Sequence, residues 1–491
     1  MRHRTKFICC FLLLSMLVCL GMTTRVKAKN GSLVQEAEQH WETYGVGGAC
    51  NHGSHNLYVA DVDEDGVFEI VVGAFMYHVV DGLTAPFEAS LEIWSWNGQN
   101  VTLEKSHNWA GTIECVYVAD ADGDAVNEIF TAGQYRNETG SYSSLRAWHW
   151  NGEELTLVAN YEGVSANSVF VSDVDNDRIN EIIAVGELDG DFHVSRLFFW
   201  HLDRGSLLLE EMLDMDAANV RSVSSVYACD LNNDGEIEII TGGYNDNLKN
   251  SEGQLSIWYW SGQQLSLKAD EKWQVVPDCY AENIAGGVLG NTVVNNLKVG
   301  DVDGDGTLEI VTGGFTYDGE NVKSQIKVWS WHESGLTQEN QAEWLNDSIT
   351  LVYCVSLDDV DGDSHLEIVA GGMTGAYGSF ANNETSLNKA QLTVWEADET
   401  TLTLEQSHDW TIGEGVCVWN VGTADLENDE TVEIVTSGCM SINRLCDPDM
   451  RIWSIRQASV ISEYLPLIIA SIVTTTIVFS LAVFFVLKKR K

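Results

Sequence analysis

Asp61-Val62-Asp63-Glu64-Asp65-Gly66-Val67-Phe68-Glu69-Ile70-Val71-Val72-Gly73 is the stretch that decides the fold, because its pattern occurs seven times in the chain. Asp120-Ala121-Asp122-Gly123-Asp124 leads to Glu128, Asp173-Val174-Asp175-Asn176-Asp177 to Glu181, and Asp230-Leu231-Asn232-Asn233-Asp234 to Glu238. The last three copies are Asp301, Asp303, Asp305 and Glu309; Asp359, Asp361, Asp363 and Glu367; Asp425, Glu427, Asp429 and Glu433. Self-similarity at a steady period, roughly 61 residues here, marks an architecture of stacked units that each bury a face against the next.

Each period has room for four strands. Leu57-Tyr-Val-Ala precedes the first acidic loop and is strand a; Glu69-Ile-Val-Val-Gly73 follows it and is strand b. Leu91 to Trp96 is strand c, and the hairpin dipeptide Asn97-Gly98 leads into Val101-Thr-Leu-Glu, strand d, which closes toward Trp109. Strand c returns at Leu145–Trp150, Ser195–Trp200, Leu255–Trp260, Ile326–Trp331, Leu392–Trp395 and Met450–Trp453. No comparable stretch between the chain's two ends has a helical period. The prediction is an all-β, seven-bladed β-propeller, since radial repetition of four-stranded units lets each blade cover its neighbour. Trp94 and Trp96 lie two apart and share a face of their sheet, which assigns them to packing between blades. The seventh repeat has no strand d after Trp453, whereas Leu33 to Trp41 resembles the strand d copy Leu402 to Trp410. The N-terminal segment is therefore expected to complete the last blade.

A hard cation such as Ca2+ takes six to eight oxygen ligands, and alternating carboxylates on a tight loop supply them. Acids at loop positions 1, 3, 5 and 9, with Gly at position 6 for the turn, make all seven loops candidate Ca2+ sites. The first and fifth loops follow the pattern in full. Ala125, Arg178, Asn232 and Ser364 are departures in the second, third, fourth and sixth, and the seventh has Glu427 for Asp and Glu430 for Gly. Carboxylates crowded into one turn repel one another without a cation.

These loops resemble those of the FG-GAP and VCBS repeat family, calcium-loop propeller modules found in integrin α chains and microbial surface proteins. The resemblance spans about residues 32–456, with Gly73-Ala74 and Gly313-Gly314-Phe315 echoing the family's Gly-rich signature and Glu replacing the usual Asp at position 9. It implies a calcium-stabilised propeller used for adhesion or ligand binding. It does not carry over an integrin partner subunit, as the leg domains and long tail have no counterpart.

The two ends predict the compartment. Residues 1–28 are expected to be a signal peptide, with basic residues before the apolar run Phe7 to Met22 and Val26-Lys27-Ala28 at the cleavage site. The propeller is assigned to 29–456 and a short linker to 457–464. Leu465 to Leu487 carries no charge, long enough for a hydrocarbon core of about 30 Å, and is expected to be a transmembrane helix. Lys488–Lys491 follows as a basic cytoplasmic tail by the positive-inside rule. The expected product is a single-pass cell-membrane protein with its N-terminal domain outside. A formal charge of −46 excludes nucleic acid, which needs a basic footprint, and favours cations as partners. Five N-x-[ST] sequons, at Asn30, Asn100, Asn137, Asn346 and Asn383, suit an exported surface. Eight cysteines lie outside the signal segment, and an oxidising compartment permits disulfides; Cys439 and Cys446 are expected to pair, and Cys115 and Cys354 to be buried thiols.

By blade topology the acidic loops and c–d hairpins share one face, directed to the membrane, while the longer b–c and d–a connections lie on the other. Binding residues concentrate on such loops held by a rigid scaffold. The leading expectation is recognition or adhesion through an extracellular glycan or protein ligand. The alternatives are an extracellular carbohydrate-active or quinoprotein-like enzyme, and a structural envelope component. No H-E-x-x-H, G-x-S-x-G or sialidase-type Asp-box motif is present, so the chain is read as a non-enzyme.

Overall fold

The b strands are apolar on both faces, as central strands covered on both sides must be: Ile70, Val71 and Val72 are all buried. On either side of them the pattern builds the expected antiparallel meander. In the computed structural model the first repeat runs Leu57–Ala60, Glu69–Met76, Glu88–Trp96 and Val101–Ala110, hydrogen-bonded in that order. Asn97 sets the c–d hairpin: its Oδ1 accepts from the backbone N–H groups of Gln99 and Asn100 at 3.1 and 2.9 Å, with Gly98 at φ 78°. The structure describes residues 31–40, 57–76, 79–80, 83–84, 88–137, 140–189, 191–215, 222–246, 251–275, 292–332, 335–375, 388–412, 415–442 and 445–457.

The chain divides into two compact units, Leu33–Ser454 and the two chain ends, Met1–Ser32 with Ile455–Lys491. Of the second, the described residues are Gly31, Ser32 and Ile455–Gln457, the tips of two strands. The first has a β-propeller arrangement of antiparallel sheets. Its a strands pack side by side in succession, Leu57–Ala60 against both Cys115–Ala119 of the second repeat and Gly415–Ala424 of the seventh.

The count of separate sheets differs from expectation. Where seven were predicted, five four-stranded sheets stand alone among the described residues, and the fifth and sixth repeats share one eight-stranded sheet. The cause is local: strand c of the fifth repeat, Val322–His332, meets strand a of the sixth, Ile349–Asp358, through one parallel pair, Val322 with Ile349. The backbone N–H of Val322 donates to Ser348 O at 3.1 Å.

The seventh repeat's sheet has the order Gly31–His40, Leu445–Gln457, Glu433–Ile442, Gly415–Ala424. The N-terminal strand thus takes the outer place, as expected, while Trp41 lies outside the described residues. Buried Arg451 holds the join from strand c: its guanidinium pairs with buried Asp449 at 3.1 Å, reaches Glu38 at 3.4 Å, and donates to Gln35. It also lies 5.0 Å over the Trp410 ring of the sixth repeat.

The Trp pairs pack between repeats. Trp94 and Trp96 cluster with Leu426, Val435 and Ile452 of the seventh repeat, and Trp148 and Trp150 with Val62, Val71 and Ile93 of the first. Several of the first-of-pair indoles also find a hydroxyl on strand b, Trp148 on Thr131 and Trp258 on Thr241, both at 2.9 Å. Strand d adds a ring from outside, as in Trp109 on Trp148 at 5.3 Å.

The signal segment, the span 465–487 and the basic tail lie outside the described residues. Among the described residues, no helix is long and apolar enough to cross a membrane.

Candidate metal centres on the acidic loops

Each acidic loop is anchored at position 2, whose side chain is buried in all seven repeats: Val62, Ala121, Val174, Leu231, Val302, Val360 and Leu426. That anchor points its backbone N–H inward, where the position 9 Glu accepts it. Val62 N–H donates to Glu69 Oε2 at 2.8 Å, Val302 to Glu309 and Leu426 to Glu433 at 3.0 Å, and the other four match. Position 1 caps the turn from the other side, with Gly66 N–H donating to Asp61 Oδ2 at 3.0 Å and Arg178 N–H to Asp173 Oδ2 at 2.9 Å. Position 5 caps position 7, as in Thr307 N–H to Asp305 Oδ1 at 2.7 Å.

The turn needs left-handed backbone twice. Position 4 has positive φ in every loop, at Glu64, Gly123, Asn176, Asn233, Gly304, Gly362 and Asn428. Position 6 does as well, including Ala125 at 68°, Arg178 at 76°, Ser364 at 74° and Glu430 at 69°, where an L side chain is strained. The departures from Gly noted in the sequence therefore leave the loop's shape intact.

This shape gathers carboxylates. Asp61, Asp63 and Glu69 bring oxygens within 4.8 Å of one another, and so do Asp120, Asp122 and Glu128, Asp173, Asp175 and Glu181, and Asp301, Asp303 and Glu309. The sixth loop gathers four, Asp359, Asp361, Asp363 and Glu367, although its position 6 is Ser. Such a group could hold a metal ion. In the first four groups position 5 stays outside: Asp65, Asp124, Asp177 and Asp305 serve the turn instead. The fourth loop, with Asp230, Asn232, Asp234 and Glu238, has one carboxylate fewer; Asn232 Nδ2 donates to Asp234 at 3.0 Å. Asp425, Glu427, Asp429 and Glu433 of the seventh do not form such a group.

The electrostatics are those of crowded carboxylates, one of them buried in each loop. Burial, with the nearby loop aspartates, pushes the Glu69, Glu181 and Glu367 carboxyls up to about 8, and Glu128, Glu309 and Glu433 to about 7. Glu238 moves the same way. Two like charges about 4 Å apart repel by roughly 1–4 kcal/mol between the aqueous and protein-surface limits. Three together outweigh the roughly 0.5–1.5 kcal/mol of each turn hydrogen bond. The buried Oδ1 atoms of Asp61 and Asp359 accept no hydrogen bond. All-oxygen donors, tightly grouped, with buried acceptors left over, fit a hard divalent ion.

No family model matches the chain, and no curated protein matches it. The site thus rests on its own geometry.

The acidic loops and the c–d hairpins share a face, as expected. The Asp63 carboxylate lies under Gly152 of the second repeat's hairpin, Asp175 under Gly262, and Glu427 under Gly98, each close enough that a Cβ there would displace the carboxylate. Asparagines invisible to the acidic pattern tie loop to loop: Asn127 Nδ2 donates to Asp61 O at 2.8 Å, Asn180 to Asp120 O at 2.9 Å, and Asn428 to Gly66 O. Only the recurrence of Asn three residues after a loop Asp hints at them.

The cysteine expectations divide. Cys115 and Cys354 are buried thiols, and burial pushes Cys115 up to about 12. The Cys439–Cys446 pair is overturned. Cys439 faces Pro448 across the b–c register and Cys446 faces Ser441, so the two are offset by two residues; Cys439 stands directly opposite Cys417 instead. The seven-residue spacing fits a hairpin, but the register sets the two cysteines on different rungs.

Proposed function

We propose that this chain is a calcium-binding, seven-bladed β-propeller that holds a recognition surface outside the cell. One observation carries the calcium reading: five loops each gather at least three carboxylate groups within 4.8 Å, in turns whose buried acceptors at Asp61 and Asp359 lack a donor. Calcium suits them better than magnesium, which demands near-ideal octahedral geometry and keeps its waters, and better than zinc, which favours nitrogen and sulfur. The blade count of seven rests on the eight-stranded sheet being two four-stranded meanders joined by a single residue pair. The FG-GAP and VCBS resemblance adds adhesion or ligand binding as the use of the scaffold, with a glycan or protein ligand on the b–c and d–a connections. Anchoring through 465–487, with the N-terminal domain outside, completes the reading.

Calorimetric titration of the chelator-stripped protein decides it. The expected result is Ca2+ binding at about five sites per chain with little competition from Mg2+; absence of binding by Ca2+ at millimolar concentration would remove the reading. A glycan array probed in Ca2+ and again in chelator then tests recognition.

A further inference from the structure

Cys417, on strand a of the seventh repeat, and Cys439, on strand b, face each other directly in an antiparallel pair. Their sulfurs are 3.4 Å apart. Opposed residues of such a pair have Cα atoms about 4.5–5.5 Å apart, inside the roughly 4.4–6.8 Å a disulfide bridges. We propose that Cys417 and Cys439 form a disulfide that staples the hairpin of the seventh acidic loop, doing there what a cation does in other loops.

The placement carries the argument. The same rung in other repeats is Ser165 with Glu187, Ser222 with Tyr244, Val293 with Phe315 and Leu351 with Met373. A cysteine pair stands at this rung in the seventh repeat, one of the two whose loops, Asp230 to Glu238 and Asp425 to Glu433, gather no carboxylate group, and the one with a strained Glu430 at position 6. That loop is enclosed by the two cysteines, so a bond between them constrains the same strands that a cation in the loop constrains. The other cysteines on described strands, Cys115, Cys229, Cys354 and Cys446, have no cysteine opposite them in the register.

The chemistry needs a disulfide donor, and oxidised glutathione represents that class. Cys439 is half-buried and Cys417 buried, so Cys439 is the first attacker. The Trp419 indole N–H donates to its Sγ at 3.3 Å, which favours the thiolate. The Cys439 thiolate displaces one glutathione thiolate and forms a mixed disulfide. The Cys417 thiolate then attacks Cys439 Sγ and releases the second glutathione. Two protein thiols give up their protons and two electrons, and the donor leaves as two reduced thiols.

The test is peptide mapping of the full chain, equilibrated with oxidised glutathione, alkylated and digested without reduction. A peptide joined through Cys417 and Cys439 is expected, and reduction should then lower the melting temperature of the wild-type chain but not of the Cys417→Ser/Cys439→Ser double variant. Alkylation of both residues after oxidation, or Cys439 joined to Cys446, overturns the proposal. The map of the wild-type chain decides the bond even if the double variant does not fold.

Discussion

At the scale of single residues, the loops show which departures from a repeat matter. Position 6 reads as a Gly requirement, and the structure shows why: the backbone is left-handed there in all seven copies. Ala125, exposed at φ 68°, bears that strain, of order 1–2 kcal/mol for a residue with a Cβ, so Ala125→Gly should raise stability by about 1 kcal/mol once the more flexible unfolded chain is counted. Thermal melts of the two chains in chelator check this, and an unchanged or lower midpoint refutes it. A second glycine acts differently. A Cβ on Gly372 would lie 1.8 Å from Leu351 O, where strand a bulges toward strand b; Gly186, Gly243, Gly314 and Gly438 repeat that clash with their own strand a, while Gly133 meets Thr112 O just ahead of strand a of the second repeat. The first repeat carries Ala74 at this place, and its described strand a pairs only as far as Val72. Gly372→Ala should therefore cost about 3 kcal/mol through forced backbone movement, measured by denaturant unfolding. The glycine was visible in the sequence as a family echo; its cause, a bulged neighbour, was not, because a Gly does not say which backbone crowds it.

At the scale of the element, the acidic loop ties stability to pH and, on the proposed reading, to a metal ion. Position 9 carboxyls sit above their ordinary value of 4.5, through burial first, at about 7 to 8. A raised folded-state value means that the fold holds the proton more tightly than the unfolded chain. The stability this contributes is fully present below about pH 4.5 and is lost as pH rises through 7 to 8. In chelator the melting temperature should therefore fall from about pH 5 to about pH 8. Saturating Ca2+ favours the ionised form and should abolish or reverse that slope. Parallel pH series with and without the ion measure it, and a chelator series flat across this range contradicts the assignment. Asp61→Asn should weaken binding more than Asp429→Asn, since the first loop gathers its carboxylates and the seventh does not. The loops were fully legible in the sequence, for alternating acids on a tight turn have few other uses. Which loops bring their carboxylates together was less so. The sixth, with Ser364, gathers four carboxylates, because position 6 constrains φ rather than supplying a ligand.

At the scale of the whole Leu33–Ser454 unit, the repeat determined the arrangement from sequence, since every c strand needs its tryptophans covered by the neighbouring repeat. Sheet boundaries were not legible: one parallel residue pair, Val322 with Ile349, merges two meanders, and no pattern announces a contact that small. The outer strand of the seventh repeat was legible, since Leu33 to Trp41 copies the strand d pattern, and it makes the last prediction. Strand c of that repeat carries Arg451, buried between Asp449, Gln35, Glu38 and the Trp410 ring. Without the N-terminal strand, two of its polar partners disappear and a strand edge opens, a known route to aggregation. Arg451 and Asp449 keep each other, so they alone do not unfold the repeat; the exposed edge and the uncovered apolar face of strand c do. A chain expressed from Gly45 should be less heat-stable and associate in solution, judged by melting and light scattering beside the longer chain. Restoring residues 31–40 as a separate peptide should recover part of the lost stability, because the strand pairs along one edge and needs no covalent link to dock. If the shortened chain is monomeric and melts with the longer one, the N-terminal strand is an accessory, and the seventh repeat is held by its cysteine pair and its neighbours alone.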